Sequence, residues 1–185
     1  LLSQILLPNQ NSSMITIVNY GMGNFGSLHN MCKRIGVQAI IASEVTAIKQ
    51  AEKLILPGVG AFDTAMQRIR DIPGLYPILE HKALTEKIPI LGVCLGMQLL
   101  TRSSEEGTLP GLGWIPAATA RFPKQPRLKV PHMGWNVAVP NTPNPLTHTL
   151  DSEPRYYFVH AYCVQVEYPA YLSLIHISEP TRPVP

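Results

Sequence analysis

At 185 residues, with 45% apolar and 15% charged side chains, the chain is long enough for one domain with a real core and is not the composition of a disordered protein. A net charge of +3 with no dense run of Lys or Arg leaves out a nucleic-acid footprint. Cys32, Cys94 and Cys163 are odd in number and lack metal-ligand spacing, which excludes a disulfide scaffold and a cysteine-based metal site, and suits a reducing, cytoplasmic compartment.

In chain order, Leu1–Leu7 is apolar but has no basic leading region, so residues 1–13 read as an extension ahead of a start at Met14 and not as a signal peptide. No later apolar run reaches the roughly 18 residues a membrane span needs. Ile15–Asn19 reads as a buried strand, followed by a glycine-rich turn, Tyr20–Asn24. Phe25, Leu28, Met31, Cys32 and Ile35 then share one helical face. Gln38–Ala42 is a second strand, and Ser43 is the expected cap of a short helix ending near Gln50. Lys53–Leu56 is a third strand, closed by Pro57-Gly58-Val59-Gly60. Phe62, Ala65, Met66 and Ile69 mark a helix, and Leu75–Glu86 another. Pro89–Val93 is a strand that runs into Cys94 and a helix from Leu95 to about Arg102.

Strands alternating with helices at this spacing predict an α/β domain: an open, mostly parallel sheet with helices on both faces. Beyond Gly107 prolines become frequent, and Gly113–Phe122, Trp135–Val139 and Arg155–Val166 read as strands of a mixed or antiparallel region. Tyr171–Pro185 has no pattern that would finish such a domain, and SLIHISEPTRP (Ser173–Pro183) resembles translated sequencing-adapter read-through. The expected division is therefore an extension over 1–13, an incomplete domain over 14–171 lacking its last strands and helix, and a foreign tail over 172–185.

Gly92-Val93-Cys94-Leu95-Gly96 has the Gly-x-nucleophile-x-Gly pattern of a sharp strand-to-helix turn. Such a turn pushes the nucleophile out at the carboxyl end of the sheet and needs glycines where backbones crowd. A thiol there stands at a helix N-terminus, whose partial positive charge favours a thiolate. The Leu95 amide, next in sequence, is placed to donate to an oxyanion, and the Pro57–Gly60 turn can aim a second amide at the same crevice. Taken alone, Cys94 also fits a small buried residue and Pro57–Gly60 a tight connection. Gly21 and Gly23 lack the third glycine and acidic partner of a dinucleotide site. A cysteine nucleophile needs a base. His29 and His81 fall on predicted helices, His148 in a Pro- and Thr-rich loop, and His176 in the tail; His132 and His160 have the stronger surroundings.

The strings NYGMGN (Asn19–Asn24), LPGVGAF (Leu56–Phe62), GVCLGMQLL (Gly92–Leu100), PHMGWN (Pro131–Asn136) and YYFVHAY (Tyr156–Tyr162) resemble the class I glutamine amidotransferases, in particular the glutaminase subunits of imidazole glycerol phosphate synthases. The resemblance implies that Cys94 attacks glutamine and that the Val59 and Leu95 amides hold the oxyanion. It implies that Gly60, Gln98 and backbone groups at Ala161 and Tyr162 bind the substrate. It also implies that ammonia passes to a cyclase subunit, a (β/α)8 barrel, which makes imidazole glycerol phosphate in histidine biosynthesis. Asn24, Trp135 and Tyr157 match positions near that partner, and no cofactor, metal, nucleic acid or membrane is implied. For Trp135, core packing is the plain alternative.

The family's Phe-His-Pro-Glu type motif, carrying base and orienting carboxylate, has no counterpart here, so a chain with impaired turnover is expected. Two other classes compete: a non-catalytic subunit that docks on a synthase and regulates it, and a cysteine hydrolase of the α/β-hydrolase type using Asp151 and His160.

Overall fold

The computed structural model describes residues 14–123, 129–140, 153–168 and 174–176. The chain forms two compact units, Leu1–Trp114 and Ile115–Pro185.

The first unit carries the βα alternation. Its elements are β1 (Ile15–Val18), α1 (Phe25–Arg34), β2 (Ala39–Ala42), α2 (Val45–Lys49), β3 (Lys53–Leu56), α3 (Phe62–Asp71), α4 (Leu75–Glu80), β4 (Ile90–Gly92), α5 (Leu95–Leu99) and β5 (Ser103–Ser104). Four strands form a parallel sheet in the order β2-β1-β3-β4, with Ile17 opposite Ile41 and Ile55, and Leu56 opposite Gly92. In β3, Leu54, Ile55 and Leu56 are all buried in succession. Successive strand residues point to opposite faces, so both faces are covered there, as the sequence predicts. The apolar side of α3, Phe62, Ala65, Met66 and Ile69, is fully buried and joins Leu75, Leu79 and Leu99 in the core. β2 and β4 are the edge strands of this sheet among the described residues, and Leu91 on β4 is 55% exposed.

The strand order places the site. The chain goes from β1 to β2 on one side, then returns to β3 on the other side of β1. That reversal opens a crevice beyond the carboxyl ends of β1 and β3, the usual ligand position in open α/β sheets. The loops that reach it are 19–24 and 57–60, with Cys94 following β4 next door.

Three expectations need correction. The cap of α2 is Glu44, in extended conformation and without a side-chain bond, not Ser43. The predicted 75–86 helix is α-helical only to Glu80, then widens into a π-helical turn, His81–Thr85. The buried Lys82 sits in that turn, its Nζ donating to the Ala51 carbonyl at 2.9 Å and to Glu86 at 2.7 Å. The helix after Cys94 ends at Leu99, shorter than the run to Arg102 suggested.

The second unit is antiparallel. It contains β6 (Ala117–Arg121), β7 (His132–Pro140), β8 (Arg155–His160), β9 (Tyr162–Val166) and β10 (Leu174–His176). β7 pairs with β8 and β10, and β6 pairs with β9. The expected single strand over 155–166 is broken at Ala161, whose carbonyl accepts the Phe122 amide at 2.9 Å, so the chain leaves β7 and joins β6. Residues 1–13, His148 and Asp151 lie outside the described residues, as does most of 172–185, where β10 is the described part.

Candidate active site

Cys94 is exposed and has φ +55° and ψ −118°, a left-handed backbone that a residue with a Cβ rarely adopts. Holding it there costs about 1–3 kcal/mol, and the surroundings over-determine it. A Cβ on Gly92 would come 2.6 Å from Met97 Cα, and one on Gly96 would stand 2.7 Å from the Leu56 carbonyl carbon. A Cβ on Gly58 would stand 2.6 Å from the Gly96 amide nitrogen. These three glycines let β4, the head of α5 and the 57–60 loop touch backbone to backbone. The Val93 amide donates to the Leu56 carbonyl at 3.0 Å and ties the turn to β3.

This packing brings Cys94, Leu95, Gln98 and the Val59–Gly60 turn to one end of the sheet. Around the turn, the Gly96 and Met97 amides are taken by the Val93 and Cys94 carbonyls, each at 3.0 Å. The Leu95 amide, first of α5, has no acceptor among the described residues, nor do those of Val59 and Gly60. Gly60, at φ +107°, needs the freedom of glycine, and Val59 is 60% exposed. Free amides in two adjoining turns can receive a developing negative charge.

Gln98 lies one helical turn beyond Cys94 and accepts, at Oε1, a hydrogen bond from the buried Ser104 hydroxyl at 2.9 Å. Asn24 is exposed and caps α1, accepting from the Ser27 amide at 3.2 Å. His29 lies on α1, and His81 pairs with Glu86 at 3.4 Å. Among the described residues, Cys94 Sγ makes no hydrogen bond to a histidine.

Tyr20 escaped the sequence reading. It is 1% exposed, and its phenol donates to the Pro57 carbonyl at 2.7 Å, joining the loop after β1 to the loop after β3. Burial, and then the nearby charge of Cys94, push its ionisation well above the ordinary tyrosine range. A tyrosine inside a glycine-rich turn was the available signal, but its partner lies 37 residues away. Beside it, an open cleft of about 720 Å³ is lined by Tyr20, Asp63, Thr64, Gln67, Arg68 and neighbours, and Cys94 is not among them.

The second unit holds the remaining candidates. On β7 and β8, Trp135 faces Tyr157 in register, edge to face with centroids 5.7 Å apart. Both are exposed, with Met133 and Val159 beside them, so core packing does not account for Trp135. His132 Nδ1 is 3.2 Å from His160 Nε2, and His160 Nδ1 is 2.9 Å from the Tyr162 carbonyl, to which it donates. Burial, then His160, lower the ionisation of His132. Ala161 and Tyr162 lie where the chain passes from β8 to β9.

The sequence family described as glutamine amidotransferase class-I matches residues 16–184. The chain belongs to the class-I glutamine amidotransferase family. It is 51% identical over 154 residues to imidazole glycerol phosphate synthase subunit HisH 2 of Methanococcus maripaludis, covering 83% of this chain and 76% of the relative. It is 47% identical to the HisH 2 subunit of Pseudomonas aeruginosa, covering 80% and 73%. Among solved structures, a glutamine amidotransferase superposes with TM-score 0.61 at 18% identity, over 80% of this chain and 71% of that one. A glutamine amidotransferase of Thermotoga maritima gives TM-score 0.54 at 12% identity, over 84% and 63%. At these identities the two structures speak for the amidotransferase fold alone. No helix among the described residues is long and apolar enough to cross a membrane.

Proposed function

We propose that this amidotransferase is the glutaminase subunit of an imidazole glycerol phosphate synthase, with Cys94 as the nucleophile. The observation that carries the mechanism is the exposed, positive-φ cysteine at the same end of the sheet as the Leu95, Val59 and Gly60 amides, which have no acceptor among the described residues. The thiolate attacks the side-chain amide carbon of glutamine, and the carbonyl oxygen takes the negative charge. The Val59 and Leu95 amides hold that oxyanion. The carbon–nitrogen bond then breaks, the proton given up by the Cys94 thiol reaches the leaving nitrogen through solvent, ammonia departs, and a glutamyl thioester remains on Cys94. Water attacks the thioester, a second oxyanion forms in the same place, and glutamate leaves as the thiol is restored. That step is slowed in this chain, because no histidine base is hydrogen-bonded to Cys94 among the described residues.

Gly60 and Gln98 on the first unit are assigned to glutamine binding, and the resemblance assigns the same role to the backbone at Ala161 and Tyr162 on the second. The identities of 47–51% to HisH subunits support a place in an imidazole glycerol phosphate synthase; ammonia delivery to a cyclase subunit in histidine biosynthesis, in the cytoplasm, completes the proposal. Asn24 on the first unit, and separately Trp135 and Tyr157 on the second, are assigned to partner docking, and the exposure of the paired Trp135 and Tyr157 rings supports a covering partner for that strand pair. The amidotransferase domain is assigned to residues 14–171.

Acylation releases ammonia before water is needed, so the test is the ammonia formed per chain from glutamine, with a cyclase subunit present. At least one equivalent is expected, and none from Cys94→Ala. Equal release from that variant would contradict the assignment of the nucleophile.

A further inference from the structure

We infer that Ser104 is a positioning residue that turns the Gln98 amide so that its NH2 end, not its oxygen, meets the substrate; the inference rests on the proposed role of Gln98 in glutamine binding. The Gln98 amide nitrogen of the main chain donates to the Cys94 carbonyl at 3.3 Å, which places Gln98 one turn along α5 from the nucleophile. A primary amide offers a donor end and an acceptor end that differ by half a turn, and left alone it would present either one.

Ser104 removes that freedom. It is 5% exposed, its Oγ donates to Gln98 Oε1 at 2.9 Å, and the same Oγ accepts the Glu106 amide at 3.1 Å. A hydroxyl has one proton to give. With the Glu106 amide on its oxygen, the proton goes to Gln98 Oε1, which is its acceptor among the described residues. If the amide were reversed, two donors would converge on Ser104 Oγ and the buried hydroxyl proton would have no acceptor among the described residues, an arrangement proteins strongly avoid.

The main chain of Gln98 is fixed as well, its carbonyl accepting from Thr101 Oγ1 at 2.7 Å and from the Thr101 amide at 3.0 Å. Gln98 Nε2 is therefore turned away from Ser104, and its two protons have no protein acceptor among the described residues. A pair of donors there selects a carboxylate or carbonyl oxygen of the ligand and disfavours an ammonium group.

The test uses the full chain and a chloroketone analogue of glutamine that alkylates Cys94, with iodoacetamide, which lacks the amino-acid portion, as control. Ser104→Ala should raise the half-saturating chloroketone concentration roughly 5- to 10-fold, with limiting rate and iodoacetamide rate unchanged. Ser104→Thr, which keeps the hydroxyl, should restore saturation. Gln98→Glu keeps an acceptor for Ser104 but replaces the donors with an oxygen, and should weaken saturation at least as much. In a Gln98→Ala background, Ser104→Ala should add nothing. Weakening by Gln98→Ala but not by Ser104→Ala would overturn the role of Ser104 and leave Gln98 in the substrate site. No effect from either would remove Gln98 from that site. A parallel fall in the iodoacetamide rate, unrescued by Ser104→Thr, would mark a general loss of structure and overturn the inference too.

Discussion

Replacing Gly96 by alanine tests the backbone packing that holds the nucleophile. The added Cβ would overlap the Leu56 carbonyl oxygen and lie 2.7 Å from the Leu56 carbonyl carbon and 3.0 Å from the Pro57 carbonyl carbon. Carbon–carbon contacts settle near ~3.5–4.0 Å, so the head of α5 must move away by about 1 Å. No side chain can yield, because every atom met belongs to backbone. Overpacking of this kind costs about 1–3 kcal/mol. The displaced Leu56 carbonyl also accepts the Val93 amide at 3.0 Å, and losing that buried bond adds about 1–3 kcal/mol. Alanine's better helix propensity returns about 1 kcal/mol. The net loss is about 1–5 kcal/mol, a large share of the ~5–15 kcal/mol that holds an ordinary domain. Urea unfolding should show the midpoint falling with an unchanged slope, while iodoacetamide modification of Cys94 changes rate as its turn is displaced. A loss below about 1 kcal/mol together with an unaltered alkylation rate would refute the packing argument.

Other perturbations test the rest of the site and scaffold. Tyr20→Phe leaves the buried Pro57 carbonyl without its donor and should cost about 1–3 kcal/mol in urea unfolding, with the oxyanion turn loosened. Lys82→Ala strips the buried Ala51 carbonyl and Glu86 of their shared cation, and should lower the unfolding midpoint more than Lys49→Ala on the neighbouring helix. The Asp63 carboxyl accepts from the Leu109 and Thr108 amides and the Thr108 hydroxyl, which hold its ionisation below the ordinary range. Its contribution is present above the unfolded value near ~3.9 and is lost as pH falls through the lower folded value, so Asp63→Asn should flatten acid unfolding there. His132 is lowered by burial and by His160, so the folded state resists its protonation. Stability should be full above about 6.5 and decline as pH falls below it, and His132→Gln should remove that slope.

The local signals were legible because they are local. The β-branched run before Tyr20, the apolar positions of α3 and the glycines around Cys94 each report on their own few residues, and all three emerge as expected. The strand order, with its reversal beside β1, follows from right-handed βαβ connections only once the pairing is known. The break at Ala161 was hidden in a uniformly β-prone run, because it depends on which strand lies alongside each half. The cap at Glu44 was missed because Ser43 is the better capping residue, yet the backbone turns one position later. Tyr20 and Ser104 were missed because neither is chemically unusual and each acts through a partner's hydrogen bond. In the second unit, the facing of Trp135 and Tyr157, and of His132 and His160, is a matter of register, which no single strand specifies.

The most direct test of the central claim is a rapid acid quench of the chain with glutamine, followed by peptide mass mapping. One glutamyl group, labile to hydroxylamine, is expected on the peptide containing Cys94, and none on Cys32 or Cys163. A glutamyl adduct on another residue, or the same adduct in Cys94→Ser, would contradict the claim.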